Sequence, residues 1–171
     1  MALCSTSAPP ESGLVALVVS PCRGDLLSLR GILPSNWTLY VASDAAEAKQ
    51  ILRQTSFPVI LCERELPDGN WKDLLVALAG IQSPPLLIVT SRLADEYLWA
   101  EVLNLGGYDV LSKPFNSIEF IQVTSMAWRR WRENGRRVAV NRRWRKMLDS
   151  WTDRLCYRLR ETLKSPLAGF V

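Results

Sequence analysis

The sequence predicts an α/β protein: a five-stranded parallel sheet, doubly wound by helices on both faces, followed by a C-terminal helical extension. Three observations carry this. Short apolar runs alternate five times with segments of helical period, a pattern that pairs the runs in parallel through right-handed crossovers. The runs are continuously apolar and do not alternate with polar residues, as strands buried on both faces must be. The chain of 171 residues is 48% hydrophobic, enough to bury one domain's core and leave room for an appendage.

The elements follow in order. Residues 1–12, rich in Ser and Pro, are expected to form a disordered leader, and residues 13–133 the folded domain. Leu14–Val19 is a β-branched apolar run that fits a buried strand. Asp25–Leu33 has Leu26, Leu29 and Leu33 at helical spacing and is closed by Pro34. Trp37–Ala42 is a strand, after which Ser43 or Asp44 caps a helix with Ala45, Ala48, Ile51 and Leu52 on one face and Glu47 as capping-box partner. Pro58–Cys62 is the third strand. Past the Pro67-Asp68-Gly69 turn, a helix carries Trp71, Leu74, Leu75 and Leu78 to Gly80. Pro85–Thr90 is the fourth strand, and Ala94–Leu105 is a helix ended by Gly106-Gly107. Tyr108–Leu111 is the fifth strand, and Asn116 caps a helix with Glu119 three residues on. A site in an open parallel sheet lies at the carboxyl ends of its strands, here Ser20-Pro21, Glu63-Arg64, Thr90-Ser91 and Ser112-Lys113.

Composition narrows the chemistry. The chain has no histidine, which excludes Ser-His-Asp and Cys-His catalysis and any His-bearing metal site. Cys4, Cys22, Cys62 and Cys156 are widely spaced with no CxxC pair and read as reduced thiols of a cytoplasmic protein. The longest apolar run, Leu14 to Val19, is far short of the roughly 20 residues of a membrane span, and the start lacks the features of a signal peptide. No metal and no cofactor are expected. Charge is split: residues 1–127 carry 8 Lys/Arg against 13 Asp/Glu, a net of −5, whereas residues 128–171 carry 13 against 4, a net of +9. Two surfaces with different partners are implied.

Three segments together, Glu63-Arg64-Glu65-Leu66-Pro67-Asp68-Gly69, Ile88-Val89-Thr90-Ser91 and Asp109-Val110-Leu111-Ser112-Lys113-Pro114-Phe115, make residues 13–128 resemble the receiver domain of bacterial two-component response regulators, with its flavodoxin-like fold. The resemblance implies phosphoryl transfer to an aspartate. In such domains an acidic pair after the first strand and the aspartate ending the third hold Mg²⁺. A Thr/Ser and a Lys bind the phosphoryl oxygens, and a strand-5 aromatic is the switch. Thr90, Lys113 and Pro114-Phe115 match that pattern. The acidic pair falls instead on Ser20 and Pro21, the phosphoacceptor on Glu63 and the switch on Val110.

These departures point to a degenerate receiver. A hydroxyl and a proline ring bring no charge to a cation that wants carboxylate oxygens at about 2.0–2.1 Å. Glu63 moves the carboxylate out by one methylene, and a misplacement of about 1 Å can cost on the order of 10²-fold where alignment matters. Glu63 is then either a permanent acidic mimic paired with Lys113 or a residue that only satisfies that lysine. Thr90 is either a site residue or a strand-end hydroxyl bonded locally. Lys113-Pro114 is expected to persist for loop geometry, with a cis bond as one option. Glu65 and Asp68 are expected as solvated loop charges, Trp71 and Trp99 as core or rim residues, and Cys62 as a small buried hydrophobe.

The fifth helix is expected to continue through Trp128-Arg129-Arg130-Trp131-Arg132 and end at Asn134-Gly135. Residues 134–171 then form a basic amphipathic tail, with a helix from about 136 to 163. Its stripe Val140, Trp144, Leu148, Trp151, Leu155, Leu159 and Leu163 recurs every three or four residues. Trp144, Leu148, Trp151, Leu155 and Leu159 are the candidate partner-binding residues, most simply in a homodimer. The expected function is a non-catalytic, phosphorylation-independent signalling or scaffolding module acting through protein contacts. The alternative is a nucleic-acid-binding regulator that uses the basic helix on phosphates.

Overall fold

In the computed structural model, residues 13–136 are described. The chain divides into two compact units, 1–132 and 133–171. β1 (Val15–Val19), β2 (Thr38–Ala42), β3 (Val59–Glu63), β6 (Leu86–Ser91) and β7 (Asp109–Ser112) form one sheet. Its order is β2-β1-β3-β6-β7, and every pair is parallel. The order reverses between β1 and β3, which opens a crevice at their carboxyl ends.

Helices α1 (Arg23–Ile32), α2 (Ala45–Gln54), α3 (Trp71–Leu78) and α4 (Glu96–Leu105) connect the strands, and α5 runs from 117 to 136, the end of the described residues. The side-chain period of two along each strand feeds two separate cores. Leu17, Val19, Ile60, Cys62, Leu87 and Val89 meet the α2, α3 and α4 residues Ala48, Trp71, Leu74, Leu98 and Val102. Ala16, Val18, Val59, Leu61, Ile88 and Leu111 meet Leu29 of α1 and Phe120, Ala127 and Trp128 of α5. The sheet is thus wound on both faces, as the continuous apolar strands required.

Local chemistry sets the helix ends. The Asp44 side chain accepts from Glu47 N at 2.8 Å, while Glu47 reaches back to Ser43 N at 2.7 Å. Asn70 and Asp73 close a capping box on α3. Gly106 ends α4 at φ 98°, a left-handed conformation that glycine adopts without a Cβ penalty. Two features differ from the sequence expectation. Between β3 and α3, a two-residue hairpin pairs β4 (Glu65–Leu66) with β5 (Gly69–Asn70). The helix α5 does not stop at Asn134-Gly135: it continues to 136, and Gly135 has no positive φ. A glycine inside a helix costs only about 1 kcal/mol, which the surrounding arginines, good helix formers, tolerate. The tail residues Val140, Trp144, Leu148, Trp151, Leu155, Leu159 and Leu163, like the leader 1–12, lie outside the described residues.

Candidate functional site

The crevice is filled from four strand ends. Ser20 follows β1, and its backbone N–H donates to Ala42 O at 3.0 Å. The Ser20 hydroxyl donates to Glu63 Oε2 at 3.0 Å and accepts from Cys22 N at 3.2 Å. Pro21 beside it is exposed. Glu63 ends β3 in register with Thr90 of β6, and Thr90 is buried. Lys113 follows β7, held by its N–H to Ser91 O at 3.0 Å and joined to Pro114 by a cis peptide bond.

Lys113 is the centre of the arrangement. Its side chain is 2% exposed, and its Nζ donates both to Glu63 Oε2 and, at 2.6 Å, to Asp25 Oδ2. Asp25 comes from the first turn of α1, where an acidic side chain also suits the helix dipole. Its other oxygen faces Arg92 Nη2 at 3.6 Å, a more exposed partner. Two carboxylates therefore share one buried ammonium, and the largely exposed Arg92 offsets the remaining charge from the rim. Burial works against the charge of Asp25, but the Lys113 hydrogen bond and charge, with help from Cys22 and Arg92, outweigh it and hold the carboxyl below its usual range.

The neighbouring positions are inert by comparison. Val110 is buried against the α2–α4 core in register with Val89, and an aliphatic side chain there has no ring to swing. Cys62 is buried with its thiol pushed up to about 12 by burial and by the nearby charges of Glu63 and Asp68, so it stays a protonated hydrophobe. Trp71 is core, whereas Trp99 is half-exposed, with its indole N–H donating to Asp109 Oδ1 at 3.0 Å.

The residues present do not fit Mg²⁺. The two carboxylates that converge, Asp25 and Glu63, share a lysine ammonium, and the Ser20 hydroxyl donates its proton to one of them. Pro21 offers no side-chain ligand. Among the described residues, no group of three or more His, Cys, Asp or Glu is placed to hold a metal.

The structure brings Ser20, Glu63 and Lys113 into one hydrogen-bonded group, sets Thr90 beside Glu63 and leaves Pro21 on the outside. Sequence reasoning missed Asp25 and Arg92. The available signal was an acid one turn into the helix after β1 and a basic residue just past the β6 end. Asp68 is an exposed loop charge, as expected, and its two oxygens also accept from Ala45 N and Ala46 N at 2.9 Å each. Those bonds from the first turn of α2, the one from Ala45 foremost, outweigh desolvation and hold its carboxyl low.

No family model and no curated protein matches the sequence. Solved structures do match. The signal receiver domain of an HD domain-containing protein from Pseudomonas fluorescens Pf-5 is 25% identical with a TM-score of 0.67, over 77% of this chain and 98% of that one. A CheY-like response regulator receiver domain protein from Methanospirillum hungatei JF-1 is 21% identical with a TM-score of 0.63, over 72% and 99%. The beryllofluoride-activated NtrC4 receiver domain dimer is 23% identical with a TM-score of 0.62, over 68% and 98%. With the strand order, the two-faced core and the lysine at the end of β7, these likenesses give this chain the receiver fold of two-component response regulators.

Proposed function

We propose that the protein is a phosphorylation-independent, non-catalytic signalling or scaffolding module that acts through contacts with other proteins. One observation carries this: the lysine that would meet an incoming phosphoryl group is already engaged by Glu63 and Asp25, inside a pocket whose charges cancel. With no carboxylate at Ser20-Pro21 to draw a metal ion in, the charge stabilisation on which phosphoryl transfer depends is absent as well. Incubation of the full chain with a small phosphodonor and Mg²⁺, followed by intact-mass spectrometry, tests it. The expected result is an unchanged mass; a stable gain of one phosphate on Glu63 overturns it.

The same reading includes a homodimer built on the stripe Trp144, Leu148, Trp151, Leu155 and Leu159. Exposing even two tryptophans would cost several kcal/mol at about 25 cal/mol per Å², and a receiver domain such as NtrC4 forms a dimer. Sedimentation of the full chain should show a dimer at tens of micromolar, reduced to monomer by Trp151→Asp. The competing reading, a nucleic-acid-binding regulator, draws on the exposed Arg130, Arg132 and Arg136 of α5 and the net +9 of residues 128–171. Its mark is DNA affinity that falls steeply with salt.

A further inference from the structure

We infer that the crevice is a cation site filled from within: the ammonium of Lys113 takes the place between Asp25 and Glu63 that a free divalent cation would need, and Asp25 is the positioning residue that fixes it there. This rests on the same closed pocket as the signalling reading.

Asp25 and Glu63 come from different elements, α1 and β3, and converge on a single nitrogen whose side chain is 2% exposed. Two oxygens of separate carboxylates, with the Ser20 oxygen bonded to one of them, are the hard oxygen ligands that a divalent cation selects. An ammonium and such a cation compete for the same lone pairs, and two positive charges a few ångströms apart repel strongly away from bulk water. The ammonium has the advantage of its tether. Its backbone is pinned to β6 through Ser91 O, so it is presented at an effective concentration that a dissolved cation does not reach. Asp25 turns a simple pair into a two-carboxylate clamp, and Arg92 at 3.6 Å offsets the added negative charge. The mismatch with Mg²⁺ is therefore not only a loss of ligands. The chain has replaced an exchangeable cation by a covalent one, and its crevice is indifferent to divalent metal.

Calorimetric titration of the full chain with Mg²⁺ and with Mn²⁺ tests this. The wild type should show no saturable binding. Lys113→Met should bind one equivalent with a Kd of roughly millimolar or tighter. Adding Asp25→Asn to that variant should weaken binding on the order of 10-fold or more. One saturable equivalent in the wild type, no binding by folded Lys113→Met, or undiminished binding without Asp25 each overturns the inference. Should Lys113→Met stay unfolded at every cation concentration, the ammonium itself is read by nitrogen-15 NMR. One lysine Nζ in the wild type should exchange its protons slowly, and Asp25→Asn should remove that protection. Fast exchange at every lysine of the wild type, or protection unchanged by Asp25→Asn, overturns it. No phosphodonor enters either experiment, so this inference and the signalling reading fail separately.

Discussion

A lysine ammonium that is 2% exposed is tolerable only while its charge is matched, because an unpaired buried charge carries a desolvation penalty with nothing to offset it. Lys113→Ala leaves the Asp25 and Glu63 carboxylates facing each other and should lower stability by roughly 1–3 kcal/mol. Lys113→Ala with Glu63→Ala should recover part of that loss, because one of the stranded charges goes too. Strictly additive losses in chemical denaturation would show that the pair does not interact. Asp25 adds a pH signature. Its carboxyl is held below the usual range by Lys113, so the unfolded chain binds its proton first as pH falls. Its contribution is complete above the ordinary carboxylate value of about 3.9 and disappears as pH drops through the lower folded value. Denaturation midpoints followed from about pH 6 to pH 3 should fall less steeply in Asp25→Asn than in the wild type.

Among the elements, the strands and most helices were legible because their signals are local. A continuous apolar run such as Val59–Cys62, a cap such as Asp44 and a glycine such as Gly106 each announce themselves within a few residues. The β4–β5 hairpin was not legible, since two-residue strands have no periodicity to read. The role of Asp68 was hidden for a related reason: its partners Ala45 and Ala46 lie 23 and 22 residues away. Its carboxylate caps α2 from outside that helix, a second acceptor beyond Asp44 for donors left over by the helix geometry. Asp68→Ala should lower the thermal midpoint, whereas Glu65→Ala, three residues earlier at an exposed side chain that meets half-exposed Arg64 at 3.6 Å, should leave it nearly unchanged. Gly106→Ala places a Cβ at φ 98° and should cost about 1 kcal/mol.

At the scale of the whole molecule, the order of the sheet decides what sequence could say about the site. Glu63, Thr90 and Lys113 were legible because each ends a strand, and strand ends in such a sheet converge. Asp25 lies within a helix, and although an acid in the first turn after β1 was visible, its partner Lys113 is 88 residues away. The sequence separation that hid this contact, 88 residues for Asp25–Lys113 and 50 for Glu63–Lys113, also has a consequence in time. A contact that closes loops of this length forms only after β1, α1, β3 and β7 have found their places, since loop closure has an entropy cost before a distant pair can meet. The triad belongs to the late side of the folding barrier, where side-chain loss speeds unfolding and leaves refolding almost untouched. Stopped-flow chevrons of Lys113→Ala should show the whole destabilisation in the unfolding limb. The crevice then acts as a kinetic clasp: the last part of the domain to close on folding, and the first whose release lets the sheet come apart.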